Sequence, residues 1–129
     1  PGVQTLVPVM LTHVNDGKLT LQRFVELTSA GPQRVFGLAD KGRIAEGYHA
    51  DFTVVDMKRK ETITKEWSKS KCGWTQFDGF EATGWPVATI VRGGFVMRDG
   101  EITRKGGGQP VRFNETLEPM KKALAEKGA

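Results

Sequence analysis

The sequence is poor in the residues that close a fold covalently or hold an ion. It has one cysteine, Cys72, and two histidines, His13 and His49. A lone cysteine cannot form an internal disulfide, and without a C-x-x-C pair or a Cys/His cluster a zinc finger is excluded, which fits a cytoplasmic setting. No apolar run approaches the roughly 18 residues of a membrane span, so no membrane partner is expected. A basic start leading into a short apolar segment, the mark of a signal peptide, is also missing. So is an initiator methionine: residue 1 is Pro, and the numbering is expected to begin inside a longer reading frame or after processing.

What is present is globular. The 129 residues are 38% hydrophobic and 26% charged, a composition that supports one domain. A complete (β/α)8 barrel takes about 250 residues, so any barrel reading makes this chain a piece of one. The net charge of +4 is uneven: residues 1–57 hold five Lys/Arg against six Asp/Glu, whereas residues 58–129 hold fourteen against nine. That basic half permits nucleic-acid binding. Its lysines alternate with acids as on a solvated face, however, and no nucleic-acid partner is expected.

The first third has helical spacing. Thr5 is placed to cap a helix carrying Leu6, Val9, Met10 and Val14, with Pro8 in the first turn and Asn15-Asp16-Gly17 as its stop. Thr20 can cap a second helix through Leu21, Phe24, Val25 and Thr28; Gly31-Pro32 then reads as a stop and restart, and Gly37 as a closing cap. Beyond Leu38 the period changes to that of strands. Short strands are expected at Arg43–Ala45, Phe52–Asp56 and, at an edge, Glu61–Lys65. A meander over Val87–Val91, Phe95–Arg98 and Glu101–Thr103 is joined by Gly93-Gly94 and Asp99-Gly100. Between lies an irregular stretch from Trp67 to Trp85 that holds five of the eleven aromatics, long for a loop that neither packs nor acts. Gly-rich residues 105–108 read as a spacer, and 117–127 as a short closing helix.

Few residues are arranged for chemistry. His13 and His49 stand far apart with no H-x-H or H-E-x-x-H, so neither is read as a metal ligand, and His13, polar in the middle of an amphipathic helix, is read as a surface or boundary residue. Ser68, Ser70 and Cys72 lie between lysines that could lower a thiol pKa, but no nucleophile elbow accompanies them; Cys72 is read as a small packed residue. Asp51 and Asp56 flank a strand, where their ordinary task is to accept turn backbone N–H groups. No residue is assigned a catalytic or metal-binding role.

Four blocks carry a resemblance. Pro1-Gly2-Val3-Gln4-Thr5 before an apolar helix, with Leu27-Thr28-Ser29-Ala30-Gly31-Pro32 and Arg34–Leu38, resembles the end of the barrel in cyclic amidohydrolases. Lys41–Asp56 is similar to the segment that leads these chains from barrel to small β-sandwich. Ser70-Lys71-Cys72-Gly73-Trp74-Thr75 and Gly84–Gly93 resemble the dihydroorotase, allantoinase and hydantoinase group, dihydroorotase most of all. The likeness covers residues 1–113. His49 stands where the family more often has Asp, in a turn where little consequence is expected.

The resemblance implies an α+β fragment: the last helices of a (β/α)8 metallo-hydrolase barrel over 1–38, part of a β-sandwich over 39–104 and a flexible tail over 105–129. It implies that the whole enzyme hydrolyses or closes a cyclic amide such as dihydroorotate with zinc, and that every metal ligand lies upstream of Pro1. What remains of the active site is then its edge, where Pro1 and Gly2 would approach substrate through the backbone, a place suited to Gly. This chain alone would hold no cofactor and be inactive. Its partners would be the missing N-terminal part and, through apolar stripes of Leu6, Val9, Met10, Phe24 and Val25 and strand edges near Val54 and Ile90, further copies of itself. Two rivals stand beside this reading: a basic module that binds single-stranded nucleic acid by stacking on the Trp67–Trp85 aromatics, and a metal-free relative used for assembly.

Overall fold

The computed structural model describes residues 2–104 and 108–114, together with 119, 121, 122, 125 and 126. The expected spacer and most of the closing helix lie outside these residues. A helical layer, α1 (Leu6–Asn15), α2 (Leu21–Val25) and α3 (Gly31–Phe36), precedes an antiparallel sheet in the order β1 (Phe52–Thr62), β2 (Glu81–Val91), β3 (Gly94–Arg98) and β4 (Glu101–Ile102). The α+β class expected from the sequence is present, with one sheet.

Thr20 caps α2 as its position predicts, its side chain accepting from Arg23 N. Gly31-Pro32 does not stop the helix. A π-helical turn, Glu26–Ala30, joins α2 to α3, with Gly31 N donating back to Glu26 O. Pro32 has no N–H to give, and a Cβ on Gly31 would come within 2.6 Å of the Glu26 carbonyl, so the wide turn carries the chain past both residues. Gly37 then ends α3 in the left-handed conformation, φ 59°.

The strand expected at Arg43–Ala45 is absent, and that stretch is an irregular loop with Ile44 exposed. Phe52–Asp56 and the strand expected at Glu61–Lys65 prove to be one element, β1, interrupted by a bulge between Asp56 and Lys60. Asp56 Oδ1 accepts Lys58 N and Arg59 N at 2.9 and 3.2 Å, which holds the extra residues in place. β2 begins at Glu81, well before the expected Val87, because Glu81, Ala82 and Thr83 pair with Thr62, Glu61 and Lys60 beyond the bulge. Pro86 is tolerated in this central strand at a second register shift, opposite Val55. Both hairpins turn on two residues with positive φ, Arg92-Gly93 and Asp99-Gly100; the first lies one residue before the expected Gly-Gly pair.

The core lies between α1 and β2. Leu11 and Ile63 are fully buried, Ile63 in a cluster with Val9, Ala82 and Trp85. Val9 and Phe24 are therefore inside, not on an open stripe as the spacing suggests; Leu6 and Val25 stay about half exposed. Two side chains fasten the layers. Asn15 Nδ2 donates to Leu11 O, Met57 O and Thr83 O, at 3.0, 3.1 and 2.9 Å, and Thr12 Oγ1 accepts Thr83 N at 3.0 Å. Helix and strand meet at Gly84, φ 102°, where an added Cβ would lie 2.6 Å from Leu11 Cβ.

The loop after α3 is tied at two places. Leu38 pairs with Phe113 in an isolated antiparallel bridge, with Ala39 N donating to Arg112 O and Asn114 N to Gly37 O, so this part of the expected tail is fixed. Further on, Lys41 Nζ pairs with Asp51 and also lies 3.1 Å from His49 Nδ1. An ammonium only donates, so Nδ1 is the acceptor in this contact. Asp51 Oδ1 accepts Arg92 N at 2.8 Å, which binds the loop to the β2–β3 turn. Partial burial raises the Asp51 carboxyl, but the Lys41 ammonium and the Arg92 N–H prevail and hold it below the ordinary value.

Gly84→Ala should lower stability by on the order of 2–4 kcal/mol, since strain and overlap add; the midpoint of urea unfolding measures it. Because the folded Asp51 pKa is depressed, its stabilisation is full above the ordinary carboxylate range and lost as pH falls through the lower folded value. Asp51→Asn should therefore unfold at lower urea than the wild type at pH 7, and the gap should close under strong acid.

Candidate functional site

Of the two residues expected at the active-site edge, Pro1 lies outside the described residues and Gly2 is exposed just before α1. The Gly2 carbonyl is occupied, accepting Leu6 N at 3.1 Å and Thr5 Oγ1 at 3.2 Å. Thr5, 1% exposed, thus spends its hydroxyl backwards on Gly2 and does not cap α1 in the expected way. A Cβ on Gly2 would meet no atom within 4 Å. Packing does not require Gly here, and the space beside it is open.

Gln4, which in the sequence stands out only as part of the Pro1–Thr5 motif, is the polar link between this turn and the long aromatic loop. Its Oε1 accepts Lys69 N at 2.8 Å and its Nε2 donates to Trp67 O at 3.1 Å. Both ends of one amide thereby pair with the backbone of residues 67 and 69, as a neighbouring strand would. Trp67 in turn lies against Trp85 of β2, ring centroids 4.8 Å apart, and Phe77 meets Phe80 edge-on at 5.9 Å. The loop packs: of its five aromatics only Trp74 is more than half exposed. A groove of about 470 Å³ runs beside the clamp, lined by Val3, Gln4, Trp67, Lys69, Trp85 and Arg104 among others.

Cys72 is exposed at the far end of the loop, contrary to its reading as a packed residue. Its thiol is held below the ordinary value, chiefly by the Ser70 hydroxyl 3.0 Å away; the flanking lysines are not the cause. Elsewhere the side chains form ordinary surface pairs. Arg34 bonds to Glu26 across the π turn, lowering that carboxyl and raising the guanidinium.

Among the described residues no group of three or more His, Cys, Asp or Glu side chains could hold a metal ion. His13 sits half-buried on α1, with a buried Nδ1 that meets no hydrogen-bond partner there, while His49 is engaged with Lys41. The donor set needed for zinc, several ligands at tetrahedral spacing, does not fit these residues. Nor is any helix among them long and apolar enough to cross a membrane.

Residues 3–96 match the Amidohydrolase family. The chain is 45% identical over 107 residues to a dihydroorotase of Methanothermobacter thermautotrophicus, covering 83% of this chain and 25% of that protein. It is 42% identical over 111 residues to a dihydroorotase of Pyrococcus furiosus, covering 86% and 27%. Among solved structures it resembles the L-hydantoinase (dihydropyrimidinase) of Arthrobacter aurescens, with a TM-score of 0.77, 37% identity, and 81% and 24% of the two chains covered. A D-hydantoinase (dihydropyrimidinase) from Thermus sp. gives a TM-score of 0.76 at 33% identity, covering 84% and 24%. The chain spans about a quarter of the length of these relatives. With the match running from the Gly2 turn through the helical layer to β3, the chain belongs to the amidohydrolase family.

Proposed function

We propose that this chain is the C-terminal portion of a dihydroorotase-like cyclic amidohydrolase, an enzyme of the cytoplasm that reversibly hydrolyses the ring amide of dihydroorotate in pyrimidine biosynthesis. The observation that carries the reading is 45% identity to a dihydroorotase along 83% of the chain, over a quarter of that enzyme. In this reading α1 to α3 are the last helices of the (β/α)8 barrel, β1 to β4 are the C-terminal part of a small β-sandwich, and the bounds at 38 and 104 separate barrel, sandwich and tail. A second reading, a hydantoinase or allantoinase portion, is favoured by the 37% identity to the L-hydantoinase structure.

The zinc that the family implies has no ligand set here and belongs to the remainder of the enzyme, so no chemical step is assigned to this chain. Its part is placement. The Gly2 turn, clear of neighbouring side chains, is the segment that would meet the substrate through its backbone, with Pro1 before it.

Exposed apolar residues support a missing partner. Val35 and Phe36 on α3 are 78% and 65% exposed, and Val25 and Leu6 about half. In the whole enzyme the N-terminal portion would cover them; in the chain alone a second copy would. Stacking of nucleic acid on the loop finds less support, since four of its aromatics are at least partly buried.

Purified alone with zinc, the chain should open neither dihydroorotate nor hydantoin above the buffer rate. Supplied with the upstream polypeptide, it should give zinc-dependent turnover that favours dihydroorotate. Turnover by the chain alone would overturn the reading, and preference for hydantoin or allantoin would select the second. Light scattering on the isolated chain at micromolar concentration should show a dimer or larger species; a monodisperse folded monomer would refute self-association.

A further inference from the structure

The geometry points to Gln4 as a positioning residue: its side-chain amide clamps the 67–69 backbone and so fixes the Gly2 turn in the place where substrate would be met. This rests on the proposed role of Gly2. Gly2 itself is exposed, and an added Cβ would touch nothing, so no packing at residue 2 holds the turn. Its bonds to Leu6 N and Thr5 Oγ1 are internal to the same few residues, and the buried Thr5 side chain seats only the α1 end of the turn.

Gln4 ties the turn to a distant part of the chain. It anchors the turn at two points, Lys69 N at 2.8 Å and Trp67 O at 3.1 Å, on a loop that is itself seated through Trp67 on Trp85 of the central strand. Two hydrogen bonds from one planar amide fix direction as well as distance. The sheet core thus sets the orientation of the Gly2 backbone groups through one side chain, without a charge that would compete for an anionic or polar substrate. A change at Gln4 should move affinity for substrate far more than the chemical step, because the metal ligands lie elsewhere in the proposed enzyme.

The test is Gln4→Met, close in volume and without the amide, made in the intact enzyme that carries this chain and compared with Phe24→Leu, which loosens the helical layer away from the clamp. Two readouts are taken: hydrogen exchange at the Lys69 and Leu6 amides, and steady-state kinetics on the cyclic amide. Gln4→Met should speed exchange at both amides and raise KM by about tenfold with kcat within about twofold, while Phe24→Leu leaves KM near the wild-type value. An unmoved KM despite faster Lys69 exchange would overturn the positioning role, as would an equal rise in KM for Phe24→Leu. If the intact wild type turns over no cyclic amide, the functional reading falls. The clamp is then judged by exchange alone: faster exchange at Leu6 supports it, and change confined to Lys69 refutes it.

Discussion

Helix α1 can lie on the sheet because β2 has no side chain at Gly84. Leu11 occupies that gap, so the helix comes close enough for Asn15 and Thr12 to bond the backbone of Thr83 on β2, and for Asn15 to reach Met57 in the β1 bulge. The apolar contact and the polar ones depend on each other. A wider spacing would leave the Thr83 carbonyl and N–H short of partners in a partly buried place, at a cost comparable to that of a lost hydrogen bond each. The same approach sets where α1 begins, and with it the height of the Gly2 turn above the loop that Gln4 grips.

Local signals were legible in the sequence wherever one residue type has one conformational use. Thr20 before Leu21, Gly37 after Phe36 and Asp99-Gly100 between two short apolar runs each state a cap or turn directly. The signals failed where a tertiary contact decides. Gly31-Pro32 breaks an isolated helix, yet a π turn carries the chain through, with Gly31 N reaching back to Glu26 O and Pro32 needing no N–H partner. Val9 and Phe24 have the spacing of an uncovered stripe, but both are buried, Val9 against Ala82 and Trp85 of β2, which spacing alone does not reveal. Arg43–Ala45 has strand-like residues and no neighbour to pair with.

The site was legible as far as family motifs extend. Gly2 stood out because a motif marks it, whereas Gln4 and Thr5, in the same motif, do their work through partners more than sixty residues away or buried under α1. An exposed Cys72 was misread for a similar reason: its sequence neighbours are lysines, but the group that acts on the sulfur is the hydroxyl of Ser70. Side-chain to backbone bonds across a long loop leave no periodic trace.

The bridge between Leu38 and Phe113 has a consequence for the order of assembly. It closes a circuit that runs from the end of the helical layer, through the entire sheet, and back. A chain emerging from the ribosome can form its helices and hairpins early, since their contacts are near in sequence, but cannot close this circuit until residues past 113 are free of the exit tunnel. The stretch around Leu38 is therefore completed only after the sheet between its two sides has been made, and closing so long a loop carries an entropic cost that grows only slowly with its length. Cutting the chain just before Val111 would leave each local element and the α1–β2 contact intact and remove this one closure.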